Sequence, residues 1–264
     1  MKRTPQYLLV LLPALAGAVI VAAWYAVKHF YQVSDWLLPT PWQILEAAVD
    51  ERGRLVPGML STARGALLGF GLATASGFAV ALLLASSRKI HAALYPWVLV
   101  LQMTPLIVLA PVINIWIGPG LAGIVAVTWL ISYFPIVANT TQGLLSADMN
   151  HVALFRMCDA SRWQELWYLR VPTAMPAFLG GLRIAAALAP VGAIFGEFLV
   201  GNAAGGTGGL GFLVYSYNTQ IKIPALFATA LTSCLLGFLF VATVSLLNWA
   251  VLHKWHDSFE RNDH

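Results

Sequence analysis

The chain has 264 residues, 59% of them hydrophobic and only 10% charged, with a net charge of +4 and a mean hydropathy of +0.75. Soluble domains carry about 25% charged residues, so this chain cannot cover itself with polar surface, and a bilayer is its expected solvent. The small net charge, without a long basic run, excludes nucleic acid as a partner, and the distant cysteines Cys158 and Cys234 make no disulfide framework.

Six apolar runs of spanning length follow one another, at about 8–27, 62–85, 94–117, 121–145, 177–200 and 225–252. They predict an all-α membrane protein with a single domain over 1–264. The first run follows Lys2 and Arg3, as in a signal peptide. It exceeds the usual ~7–15 apolar residues, so it is read as a retained helix.

Between the first two spans, "LLPTPWQILEAAV" sets Pro39 and Pro41 before an amphipathic run with Leu38, Trp42, Leu45, Ala48 and Val49. This predicts a turn leading into a helix along the membrane surface. In the second span Gly65, Gly69, Ala73 and Gly77 recur every four residues. They form a smooth stripe for close helix packing, within the chain or between subunits.

The third span carries Pro105 and Pro111 with Gln102, Thr104 and Asn114; the fourth carries Pro135 with Thr128, Ser132 and Asn139. Kinked spans with polar side chains turn those groups to protein or to water. Those six polar residues are candidates for a translocation path. For any one Ser or Thr, a bond back to its own helix is the plainer account.

The segment 150–172, "NHVALFRMCDASRWQELWYLRVP", interrupts the apolar pattern. Asn150 is expected to cap a short helix over 151–158, and Asp159 to make a turn. Ser161 with Gln164 forms a capping box for a second helix over 161–171, and Pro172 and Pro176 mark the return to the membrane. So small a knob needs another surface to pack on.

After the fifth span, "GGTGGLG" places Gly206, Gly208 and Gly211 as a literal G-x-G-x-x-G. Dinucleotide binding requires a βαβ context that is missing here, so a tight turn is expected. No glycine precedes any of the five lysines, and there is no H-E-x-x-H or G-x-S-x-G. The chain therefore reads as no enzyme, with no cofactor and no metal of its own. Only Arg183 and Glu197 lie within spans, near their ends. Glu197 reads as an interface residue beside the glycine turn rather than an ion-coupling carboxylate.

With a cytoplasmic N-terminus, the inner segments hold Lys2, Arg3, Arg88, Lys89, Arg156, Arg162, Arg170, Lys254 and Arg261, and the outer segments hold Lys28, Arg52, Arg54 and Lys222. That bias places both termini and segment 150–172 inside.

The segment also resembles the cytoplasmic loop of binding-protein-dependent ABC transporter permeases. Their pattern is E-A-A, three residues, G, nine residues, then I-x-L-P. Counting back from Leu169-Arg170-Val171-Pro172 puts Ala153, Leu154 and Phe155 at the E-A-A places and Asp159 at the glycine. The glutamate and the glycine are absent. "LLPTPWQILEA", "QMTPLIVLAPVINIWIG" and "GGLGFLV" are similar to recurring stretches of the branch that imports nitrate, sulfonates, taurine, pyrimidine precursors and riboflavin-like compounds.

The resemblance implies a type I importer permease in a bacterial inner membrane, paired with a second copy as a homodimer. An ABC ATPase subunit would bind ATP and Mg, and an extracytoplasmic binding protein would deliver the solute. Ala153, Leu154, Phe155, Arg156, Asp159, Ser161, Arg162, Trp163, Glu165 and Leu166 would couple to the ATPase. For the solute, Trp116, Trp129 and Tyr133 lean to a pyrimidine-like or flavin-like heterocycle, ahead of a sulfonate-, taurine- or nitrate-type anion, for which no mid-membrane charge cluster exists. A stand-alone secondary transporter or channel is the alternative.

Overall fold

The computed structural model describes residues 6–200 and 208–256, and all the regular structure among them is helical. Hydrocarbon leaves no water for backbone amides, so each apolar run must satisfy its own as a helix. In chain order the helices are α1 (Gln6–Phe30), α2 (Pro41–Asp50), α3 (Arg52–Ser86), α4 (Arg88–Met103), α5 (Leu106–Ile117), α6 (Leu121–Leu145), α7 (Met149–Met157), α8 (Arg162–Glu165), α9 (Val171–Val200), α10 (Leu210–Thr219) and α11 (Ile223–His256). A π-helical turn, Leu166–Arg170, joins α8 to α9.

Five continuous helical stretches among the described residues are long and apolar enough to cross a bilayer, within α1, α3, α6, the α8–α9 unit and α11. The expected third span is divided. Thr104 takes an extended conformation (φ −68°, ψ 124°) between α4 and α5. Pro105 disfavours a helical residue before it. Pro111 and Pro135, also expected to break helices, lie inside α5 and α6.

The fifth span departs from expectation at its start. Pro172 and Pro176 do not end a separate short helix; α8, the π turn and α9 run on as one unit, Arg162–Leu199. The turn just before Pro172 already departs from the regular i to i−4 pattern that a proline ring would clash with.

Helices α3, α6 and α9 form the centre. The small-residue stripe of α3 lies against α6 of the same chain. A Cβ on Gly65 would sit 2.9 Å from Ile124 Cγ2, one on Gly69 2.4 Å from Thr128 Cβ, and one on Gly77 3.0 Å from Ile136 Cγ2. Ala73 is fully buried with Ile136 and Ala185. The stripe therefore packs within the chain.

The exposed apolar side chains of α1 suit lipid. Near its C-terminal end, Trp24 Nε1 donates to the Pro39 carbonyl at 3.1 Å. Helix α2 forms as expected: Pro41 opens it, and Thr40 and Gln43 make a reciprocal capping box. Trp42, Leu45 and Val49 are exposed, while Ile44 is buried among Leu55, Leu210 and Tyr217.

Candidate functional site

The segment after α6 holds most of the residues expected to act. Asp148, rather than Asn150, caps α7, accepting from the Asn150 amide at 2.9 Å. The helix can start two residues earlier because an Asp at the cap satisfies a free amide as well as Asn does.

At the other end of α7, Asp159 stands at φ 53°. The Asp159 amide donates to Arg156 O at 3.1 Å, and the Ala160 amide donates to Phe155 O at 3.0 Å. Together these bonds make a Schellman motif, with aspartate where glycine is usual. Ser161 and Gln164 then cap α8 reciprocally. The expected second helix over 161–171 is instead the start of the long α8–α9 unit.

Glu165 and Arg170 secure the base of this loop. Arg170 Nε donates to Glu165 Oε1 at 2.7 Å, and a terminal guanidinium nitrogen lies 2.6 Å from the same carboxylate. Another terminal nitrogen donates to the Leu144 carbonyl at the end of α6, at 3.2 Å. A cation at a helix C-terminus also opposes the negative end of the helix dipole. Leu166 is buried with Ala81, Leu144 and Ala174. Of the expected coupling residues, Leu166 and Glu165 thus serve the base.

Ala153, Leu154, Arg156, Asp159, Ser161, Arg162 and Trp163 are exposed, and Phe155 is half-buried. Trp163 is 70% exposed, and Met157, Leu154 and Tyr168 add further exposed apolar surface. Met157 and Tyr168 were missed from the sequence. Their exposure depends on the turn at Asp159 and on the extra residue per turn at 166–170, and neither appears in a 3.6-residue pattern.

The six path candidates do not converge. Thr104 bonds back to Val100 O at 3.1 Å, Thr128 to Ile124 O at 2.8 Å, and the Asn139 amide donates to Pro135 O at 2.7 Å. Gln102 is exposed, Ser132 is fully buried without a partner, and the Asn114 side chain lies outside the described residues. A recess of about 450 Å³ opens instead between α4 and α6, beside His91, Tyr95, Thr141 and Gln142. Trp129 and Tyr133 pair on α6 with ring centroids 5.2 Å apart, and Trp129 Nε1 donates to Ser76 Oγ on α3 at 2.8 Å. Trp116 stands apart on α5, 81% exposed.

A second polar cluster lies at the opposite end of the bundle. Glu51, between α2 and α3, accepts from the Tyr217 hydroxyl at 2.8 Å and from Lys222 Nζ at 3.3 Å. The Arg54 guanidinium lies 5.1 Å from the Tyr217 ring centroid. The tyrosine hydrogen bond, aided by Lys222, holds the Glu51 carboxyl below its usual range. Burial and the bond to Glu51 push the Tyr217 phenol up to about 12. Of the glycine motif, Gly206 lies outside the described residues, and Gly208 and Gly211 lie at the start of α10. Glycine matters at that helix start for close approach: a Cβ on Gly211 would sit 2.1 Å from Ile194 O.

Residues 71–252 match the family model described as binding-protein-dependent transport system inner membrane component. The formylaminopyrimidine transport permease protein ThiX of Halalkalibacterium halodurans is 34% identical over 97% of this chain and 98% of its own length. The riboflavin transport system permease protein RibX of Chloroflexus aurantiacus is 31% identical over 91% of this chain and 88% of its own. Among solved structures, an inward-facing MetNI methionine ABC transporter chain superposes with a TM-score of 0.66 at 18% identity, covering 76% of this chain and 98% of that one.

Proposed function

The chain belongs to the family of binding-protein-dependent transport system inner membrane components and is a permease subunit of an ABC importer; from that premise we propose that it imports a pyrimidine-like or flavin-like heterocycle. The relatives named for formylaminopyrimidine and riboflavin, at 34% and 31% identity, support this cargo over sulfonates or taurine. The relatives named for those two solutes are 26% and 24% identical. Isothermal titration of the partner binding protein with aminopyrimidines, riboflavin, taurine and an alkanesulfonate tests it. Heterocycle binding alone is the expected result, and binding of a sulfonate alone overturns the assignment.

The coupling mechanism rests on one observation: the exposed face of α7 and α8 stands on a base fixed to α3, α6 and α9. The ATPase subunit, which binds ATP and Mg, docks on Ala153, Leu154, Phe155, Arg156, Arg162 and Trp163, while Asp159 and Ser161 set the angle between the two helices. Closure of the ATPase pair pushes this face, and the rigid α8–α9 unit carries the push into the membrane, where a second copy completes the path. Pumping needs two discrete states, since a continuously open path leaks.

Both termini and the loop lie in the cytoplasm in this account, as the Lys and Arg bias supports. Arg162→Cys is then labelled by an impermeant thiol reagent only in permeabilised cells, and Arg52→Cys in intact ones. The reverse pattern contradicts the orientation.

A further inference from the structure

Glu197 is a carboxylate 4% exposed near the end of α9, and coupling through the loop makes no use of it. Its oxygens lie 2.8 and 2.9 Å from Thr62 Oγ1 on α3. The Gly211 amide donates to its Oε2 at 2.9 Å, and the Leu210 amide donates to Thr62 Oγ1 at 2.8 Å. Both amides belong to the first turn of α10, where the free amides of a helix favour an anion. Three helices therefore meet in one buried hydrogen-bond set.

The sequence around this set leaves no slack. A Cβ on Gly209 would sit 1.8 Å from Glu197 Oε1, and one on Gly58 of α3 would sit 3.0 Å from Leu213 Cδ1 of α10. Tyr217, fully buried, fastens the far end of α10 to Glu51. Tyr215 between those fixings, and Asn218, Thr219 and Gln220 just past Tyr217, remain exposed. Helix α9 then runs unbroken from this latch to the loop, as part of the Arg162–Leu199 unit.

We propose that Glu197 is a positioning residue: with Thr62 it locks α10 to α3 and α9, so that a binding protein seated on the exposed face of α10 is felt at the ATPase-docking loop. The proposal rests on the permease reading above. Geometry carries it, and the charge of Glu197 is dispensable. In Glu197→Gln the amide oxygen accepts from Gly211, the amide nitrogen donates to Thr62 Oγ1, and the Thr62 proton turns to Gly58 O, already 3.0 Å away.

The test is ATP hydrolysis by the complete complex in liposomes, with and without the binding protein plus a formylaminopyrimidine. Glu197→Ala and Thr62→Val are expected to lower the ratio of stimulated to basal hydrolysis at least about fivefold, the lower end of usual coupling energies. Basal hydrolysis and complex yield stay normal, and Glu197→Gln and Thr62→Ser keep the full ratio. A wild-type ratio in Glu197→Ala overturns the proposal. So does a Glu197→Gln as damaged as the alanine variant, because charge and not position is then required. Failure of both Glu197→Ala and Thr62→Val to assemble also overturns it, since the latch then serves only the fold. A wild-type complex that never responds to any binding protein contradicts the permease reading itself, a result separate from these.

Discussion

Glu165 and Arg170 are five residues apart, yet the guanidinium reaches within 2.6 Å of the carboxylate. Ordinary helix spacing brings residues three or four apart together; here the π-helical turn over Leu166–Arg170 absorbs the extra residue. The same arginine holds the Leu144 carbonyl, so one side chain joins the loop to the end of α6. Arg170→Ala leaves the largely covered Glu165 carboxylate without its partner, a loss of about 1–3 kcal/mol. A lower melting temperature of the purified complex and weaker co-purification of the ATPase are expected. An unchanged melting temperature would show that the clamp does not hold the loop.

Asp159 stands in left-handed backbone geometry at φ 53°, a conformation that costs L residues about 1–2 kcal/mol. Asp159→Gly is therefore tolerated and stabilises by up to about 1 kcal/mol, with transport retained. Asp159→Val strains the turn and lowers the melting temperature. Equal melting temperatures for the glycine and valine variants would count against the turn.

Of the α3 glycines facing α6, Gly69 leaves the least room for a side chain. Gly69→Ala already places a methyl group 2.4 Å from Thr128 Cβ, and overpacking of this kind costs about 1–3 kcal/mol. Gly69→Leu is expected to lower the yield of assembled complex sharply, whereas Gly71→Leu, where an added Cβ meets nothing within 4 Å, leaves it unchanged. Size-exclusion chromatography of the two variants side by side reads the difference.

The Glu51–Tyr217 pair gives a pH signature with a definite sign. The Glu51 carboxyl is held below its usual range, so its contribution is present at neutral pH and fades as pH falls through the acid carboxylate range. The Tyr217 phenol is pushed up from 10 to about 12, so its contribution is complete below pH 10 and is lost as pH rises towards 12. Tyr217→Phe is expected to lower the neutral-pH melting temperature, with a gap to wild type that narrows in acid. A gap independent of pH would assign the loss to packing alone.

The spans and the loop were legible in the sequence because they depend on local pattern. Apolar length located five stretches long enough to cross, while the third expected span is broken at Thr104; Ser161 and Gln164 marked a helix start, and the glycine stripe of α3 announced a close contact. Long-range geometry was not legible. Thr62 and Glu197 are 135 residues apart, and no periodicity connects them; a lone carboxylate late in a span, next to a glycine run, was the only hint. The continuity of α9 through Pro172 and Pro176 was hidden as well, because the π turn that accommodates it has no sequence signature. The back-bonding of Thr104, Thr128 and Asn139 is the ordinary behaviour of such residues in helices, and it dispersed the expected path.

The central claim is that the face of α7 and α8 receives the ATPase. Binding-protein-stimulated ATP hydrolysis by the reconstituted complex, with co-purification of the ATPase, measures it directly. Trp163 is exposed and Phe155 half-buried on that face, and apolar anchors buried on docking cost about 2 kcal/mol or more when truncated, while rim charges cost less. Trp163→Ala and Phe155→Ala are predicted to abolish stimulation and release the ATPase, with Arg162→Ala milder than either. Full stimulation and normal association in both aromatic variants would contradict the account.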